Sequence, residues 1–149
     1  MTLIAMLLVA AQAVASVGSK PDFSGQWVLN ASESDFGIIP PPKCRGLKLS
    51  HREPELLSEE TAPGGEPCGL PIRYTTDGTP VTYAADNALR RARLTWSGNA
   101  LVIDRTSADG VVMRIEATLS SDGRRLTRAF HVESPQGATD WTYLYDRAK

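Results

Sequence analysis

The chain lacks an excess of either charge. Sixteen Lys and Arg stand against 17 Asp and Glu, for a net charge of −1 over 149 residues. That balance gives no electrostatic case for a nucleic-acid partner, and no Lys/Arg cluster is long enough to suggest an anionic membrane. The densest basic stretch, Arg90-Arg91-Ala92-Arg93, reads as a strand with charges on its solvated face. The chain also has no Gly-rich phosphate loop, no H-E-x-x-H and no G-x-S-x-G. Its two histidines, His51 and His131, stand alone, and neither lies at zinc-ligand spacing from a cysteine. The acids are scattered on solvated faces, with no paired carboxylates on a buried face. The sequence therefore indicates no catalytic residue, metal site or cofactor, and an enzyme ranks last among its readings. Beyond the N-terminal segment no stretch shows a helical period, and no internal repeat or low-complexity segment appears.

What is present begins with an export signal. Leu3 to Ala15 is apolar except for Gln12 and ends in Ala13-Val14-Ala15, a small-x-small cleavage pattern. The run is too short to span a bilayer, which takes about 20 residues. No Lys or Arg precedes it. The expectation is a signal peptide over residues 1–15, a tether over 16–22 and one domain over 23–149, periplasmic or secreted, with no membrane span after signal removal. Two cysteines, Cys44 and Cys68, fit that compartment as a single disulfide. A metal or redox pair fits poorly, because the spacing is far from C-x-x-C. Such a bridge closes a loop of about 25 residues and stabilises the fold by roughly 3 kcal/mol in the chain-entropy model.

Phe23-Ser24-Gly25-Gln26-Trp27-Val28-Leu29 opens the domain as its first strand, with Trp27 and Leu29 on one face. A small residue beside a large aromatic there suggests a plug at one barrel end. Asn30 to Lys43 contains Pro40-Pro41-Pro42 and holds no regular element. Its apolar Ile38 and Ile39 suggest that the loop folds back over an open end. Arg45–Arg52, Leu56–Thr61, Ile72–Thr76 and Val81–Ala84 read as strands. Strands 56–61 and 72–84 are polar and interrupted, so the sequence leaves barrel closure there open.

The C-terminal half is sharper. Gly98-Asn99 makes a two-residue turn that sets Trp96 against Leu101, Leu94 against Ile103 and Ala92 against Arg105. A three-residue turn, Ala108 to Gly110, keeps Ile103 opposite Ile115, as a buried face requires. Asp122-Gly123 sets Leu119 against Leu126, Ala117 against Arg128, Ile115 against Phe130 and Met113 against Val132. Pro135-Gln136 sets Phe130 against Trp141 and Arg128 against Tyr143. About eight to ten short strands joined by tight turns make an antiparallel up-and-down meander, closed or nearly closed into a barrel that hides its edges. By the same pairing His131 faces outward, opposite Asp140.

The inward face is apolar with marked exceptions. Arg105 and Arg128 fall on it, and Arg90 is close to the same phase. A buried guanidinium is costly unless paired. Three roles fit: snorkelling from the barrel mouth, a structural hydrogen bond to Tyr143 or a carbonyl, or an anion anchor in a mostly apolar cavity. The candidate ligand site is then Arg128, Tyr143 and Arg105 as anchors, with Trp96, Ile115, Phe130 and Trp141 lining the cavity.

Gly25-x-Trp27 resembles the opening motif of the lipocalin-like proteins of the calycin group. The longer stretch from Asp22 to Asn30, followed by Ser34-Asp35-Phe36-Gly37 and Pro40-Pro41-Pro42, resembles exported bacterial lipocalin-like proteins. The resemblance implies a barrel binding a small hydrophobic molecule, with the first-strand Trp27 packed under a basic residue near the chain end. Arg147 matches that position. The ending Tyr143-x-Tyr145-x-Arg147 is similar to that of fatty-acid-binding barrels, where Arg and Tyr hold a carboxylate. The T-D-Y motif of true lipocalins, a C-terminal helix and a helical lid are all missing, so the proline-rich loop would stand in for the lid. The alternative reading is a packed barrel without a cavity, serving as an envelope protein–protein interaction module.

Overall fold

A computed structural model describes residues 18–149; the expected signal segment lies outside them. Ten antiparallel strands follow in order: β1 (Gly25–Leu29), β2 (Gly46–Arg52), β3 (Glu55–Thr61), β4 (Ile72–Thr75), β5 (Val81–Ala85), β6 (Ala88–Ser97), β7 (Ala100–Thr106), β8 (Val112–Leu119), β9 (Arg125–Ser134) and β10 (Gly137–Arg147). No helix occurs among the described residues. Each strand pairs with its chain neighbours except β4 with β5, and β1 also pairs with β10, which curls the meander into a barrel. β4 and β5 are the two free edges of the sheet. They face each other across a seam with no ladder between them. Near the β4–β5 turn the seam is stitched to β6, where Asp77 bridges Thr95 and the Gly78 amide donates to the Leu94 carbonyl over 2.9 Å. The barrel is therefore nearly closed, and it opens toward the opposite end.

Register follows the buried face. Trp96 opposes Leu101, Ile103 opposes Ile115, Ala117 opposes Arg128, and Phe130 opposes Trp141. The three-residue turn before β8 places Gly110 at φ 84°, where glycine carries no steric cost. The β5–β6 hairpin was not legible in the sequence. Its turn is Asp86-Asn87, with φ of 51° and 60°. Asp and Asn tolerate the left-handed region that a tight hairpin demands, so the turn forms without glycine. β6 consequently starts at Ala88, four residues before the Ala92–Trp96 face read in the sequence.

One end of the barrel is plugged. Trp27 is 1% exposed, and the Arg147 guanidinium lies 4.2 Å from its ring centroid. Arg147 also donates to the Ser24 carbonyl (2.8 Å) and the Gly123 carbonyl (2.9 Å), tying β1 to the β8–β9 turn. Gly25 has φ 148°, and a Cβ there would overlap the Arg147 guanidinium. The spacing of Gly25-x-Trp27 thus has a physical cause: the glycine leaves room for the cation over the indole two residues on. Beside the plug, fully buried Phe23 packs on Trp96 and His51. Glu53 gathers three donors there: Trp96 Nε1 (2.9 Å), Thr76 Oγ1 (2.7 Å) and His51 Nε2 (2.9 Å). The Phe23 amide donates to His51 Nδ1 over 3.2 Å, which fixes the ring as the Nε2–H tautomer.

Gly25→Ala is expected to destabilise the fold by about 1–3 kcal/mol, read as a lower urea midpoint at unchanged m-value. An unchanged midpoint would show that Arg147 does not need the space. Desolvation pushes the Glu53 pKa up, but the Thr76, His51 and Trp96 donors outweigh it and leave it lowered from 4.5. A lowered folded pKa contributes stability above the unfolded value, and that contribution is lost as pH falls through the folded one. Urea midpoints measured from pH 6 down to about 3 should therefore fall less steeply in Glu53→Gln than in the parent. Parallel curves would rule out this contribution.

Candidate functional site

The barrel interior divides by height. Toward the plug it is apolar, with Leu94, Leu101, Ile115 and Leu126 almost wholly buried. Toward the loop end the inward phase turns polar, because β3 contributes Ser58 and Glu60, β7 Arg105 and β9 Arg128. Arg128 is 5% exposed. Its Nη1 lies 3.4 Å from the Tyr145 hydroxyl and 3.6 Å from Glu60 Oε1, and its guanidinium stands 5.1 Å from the Phe130 ring centroid. Burial works against the Arg128 charge, but the Tyr145 and Glu60 oxygens outweigh it and raise its pKa. Tyr145 is held neutral: its burial raises the phenol pKa further than the Arg128 charge lowers it. Arg128 is therefore a paired cation.

Arg105 is different. Its Nη2 donates to the Tyr74 hydroxyl over 3.2 Å, and its guanidinium stands 5.7 Å from the Tyr83 ring centroid. Its Nε is buried with no acceptor. It faces a pocket of about 450 Å³ that opens at the β4–β5 seam, with Ser58, Glu60 and Ile72 on one wall and Tyr83 on the other. The Cys44–Cys68 disulfide lies at the rim of the same pocket. It ties the end of the proline-rich loop to the β3–β4 loop. That loop folds back as its apolar residues suggested. Asp35 bridges Thr142 of β10, the Phe36 ring stands 5.7 Å from Tyr143, and Ile39 packs on the core. Ile38 turns outward and is 85% exposed.

The sequence-derived candidates distribute over four places. Arg105 lines the pocket. Arg128, Phe130, Trp141 and Tyr143 form a cluster beneath the proline-rich loop, with Phe130 and Trp141 stacked at 5.0 Å and 9°. Tyr143 closes on Phe130 at 4.7 Å. Ile115 is in the apolar floor, and Trp96 is at the plugged end with its indole on Glu53. Glu60, Ser58, Tyr74 and Tyr83 belong to the site and were not singled out from sequence. Their signal was alternation: Leu56, Ser58 and Glu60 share one face of β3, and Tyr83 shares a face with the partly buried Val81.

No family model matches the sequence. No curated protein matches it either. The fold matches solved calycin-type barrels. Secretory abundant heat soluble protein 4 from Ramazzottius varieornatus aligns at 16% identity with TM-score 0.69, covering 91% of this chain and 100% of that one. Fatty-acid-binding protein 1 from Echinococcus granulosus aligns at 10% identity and TM-score 0.65, over 85% of this chain and 98% of that one. Zebrafish ileal bile acid-binding protein, solved with cholic acid, aligns at 13% identity and TM-score 0.62 with the same coverage. At these identities the likeness is one of fold.

Glu60 is two-fifths exposed, so solvent screens part of its pairing with Arg128. Glu60→Gln is expected to lower stability by about 1 kcal/mol and to leave the fold intact, measured by urea unfolding and far-UV circular dichroism. No change in stability would mean that Tyr145 alone compensates Arg128.

Proposed function

We propose that the chain is an exported barrel that binds a small amphipathic molecule with an acidic head. The head sits at Arg105, in the pocket at the β4–β5 seam, and the apolar body lies along Leu70 and Ile72 of the same pocket. One observation carries this reading. Arg105, half-buried, lines a pocket of about 450 Å³ with its guanidinium on the Tyr74 hydroxyl and no carboxylate in ion-pair reach among the described residues, a volume that suits a small ligand. A guanidinium at a pocket without a counter-charge is a site for an anion, which an entering carboxylate supplies. Arg128 takes the supporting role: with Tyr145 and Glu60 it holds the wall behind the pocket. The fatty-acid-binding and bile-acid-binding names among the similar structures agree with an acidic amphipath. Export is supported by the signal-like segment and by the Cys44–Cys68 disulfide, which persists in oxidising compartments.

The test is displacement of a fluorescent fatty acid by unlabelled dodecanoate. The parent protein should bind the probe and release it on competition. Arg105→Gln should weaken binding about tenfold or more, as expected for loss of a charge-assisted hydrogen bond. No probe binding, or equal binding by the variant, would overturn the reading.

A further inference from the structure

A second cation stands beside the pocket: Arg90 does not line it, but it pairs with Asp86, which does. Arg90, on β6, also has a buried Nε with no acceptor. Arg90 is paired with Tyr83 in the β5–β6 register, while Ala92, two residues on, is paired with Arg105. Arg90 and Arg105 are therefore diagonal neighbours on the inner face, within reach of each other's long side chains. Tyr83 marks the space between them. Its burial raises the phenol pKa, while both guanidiniums pull it down. Arg90 is held by Asp86 at 3.3 Å, but Asp86 is 88% exposed at the pocket rim, so this pairing is heavily screened and readily exchanged.

Charge on the inward phase does not balance. Arg90, Arg105 and Arg128 all lie there, and Glu60 is engaged by Arg128. A monocarboxylate would satisfy Arg105 and leave Arg90 as it is. We infer that the pocket takes a head group with two negative charges, a phosphate monoester on an apolar tail, bridging Arg105 and Arg90. Three phosphate oxygens can accept from both guanidiniums and from the Ser58 hydroxyl, which is 9% exposed on the opposite wall. Arg90 would exchange Asp86 for the phosphate, and the dianion would supply the second charge that the wall lacks. This inference rests on the ligand-binding reading above and adds the class of head group to it.

Calorimetric titration at pH 8 with dodecyl phosphate and dodecanoate, both below micelle concentration, tests it. The phosphate monoester is dianionic at that pH, since its second pKa is about 6. The protein should bind dodecyl phosphate about tenfold more tightly than dodecanoate. Arg90→Gln should remove the preference and leave dodecanoate within about twofold of the parent. Asp86→Asn, which frees Arg90 and keeps a residue suited to the turn, should tighten dodecyl phosphate more than dodecanoate. Inorganic phosphate alone should bind far more weakly than dodecyl phosphate; equal affinity would overturn the apolar half of the assignment. Equal affinity for the two amphipaths in the parent, or an Arg90→Gln effect that falls on both alike, overturns the dianion while sparing the carrier reading. Binding of neither overturns both.

Discussion

Arg128 is buried on the inward phase of β9, and a desolvated guanidinium has to be compensated from within reach. That requirement accounts for much of the upper barrel. Glu60 on β3 supplies the opposite charge from across the interior, and the Tyr145 hydroxyl on β10 supplies an acceptor. Glu60 in turn is positioned because β3 turns Ser58 and Glu60 inward where β2 alternates Leu47 and Leu49. With Glu60 committed to Arg128, Arg105 has only the neutral oxygen of Tyr74. The electrostatic shortfall and the open seam therefore meet at one place, where the ladder between β4 and β5 is missing and a pocket is left.

The opposite end is built to be closed. Arg147 over Trp27, the glycine that makes room for it, and the Glu53 cluster on Trp96 and His51 all tie strands together below the apolar floor. The two ends divide the work. Packing at the plug fixes the barrel, so the loop end can hold unbalanced charge without the fold depending on it. The proline-rich loop covers the loop end on the β10 side, pinned by Phe36, Ile39 and the disulfide. The seam side stays open.

The hairpins of β6 to β10 were legible because one face of each is buried, so a slip of one residue would expose a whole row of apolar side chains. The choice of a three-residue turn at Gly110 followed from that constraint and holds in the structure. Two things were harder to read. The Asp86-Asn87 turn has no glycine, so the β5–β6 hairpin gave no local signal. Height along the barrel was the second. A period of two assigns a side chain to the inner face but not to one end of it. Trp96 and Arg105 share a face, yet Trp96 lies beside the Gly98-Asn99 turn at the plug and Arg105 lies at the far end of the next strand. Counting turns along the meander places both, since alternate turns fall at the same end. β3 and β5 read as polar and interrupted, which leaves closure there open in the sequence, whereas in the structure their alternate positions form the wall of the pocket.

The account turns on where an acidic amphipath sits. A crystal structure of the protein grown with dodecanoate tests that location directly. The account predicts one molecule in the pocket at the β4–β5 seam, its carboxylate accepting from the Arg105 guanidinium and its chain lying along Leu70 and Ile72. A barrel with no molecule in the pocket, or one whose carboxylate lies away from Arg105, would contradict it.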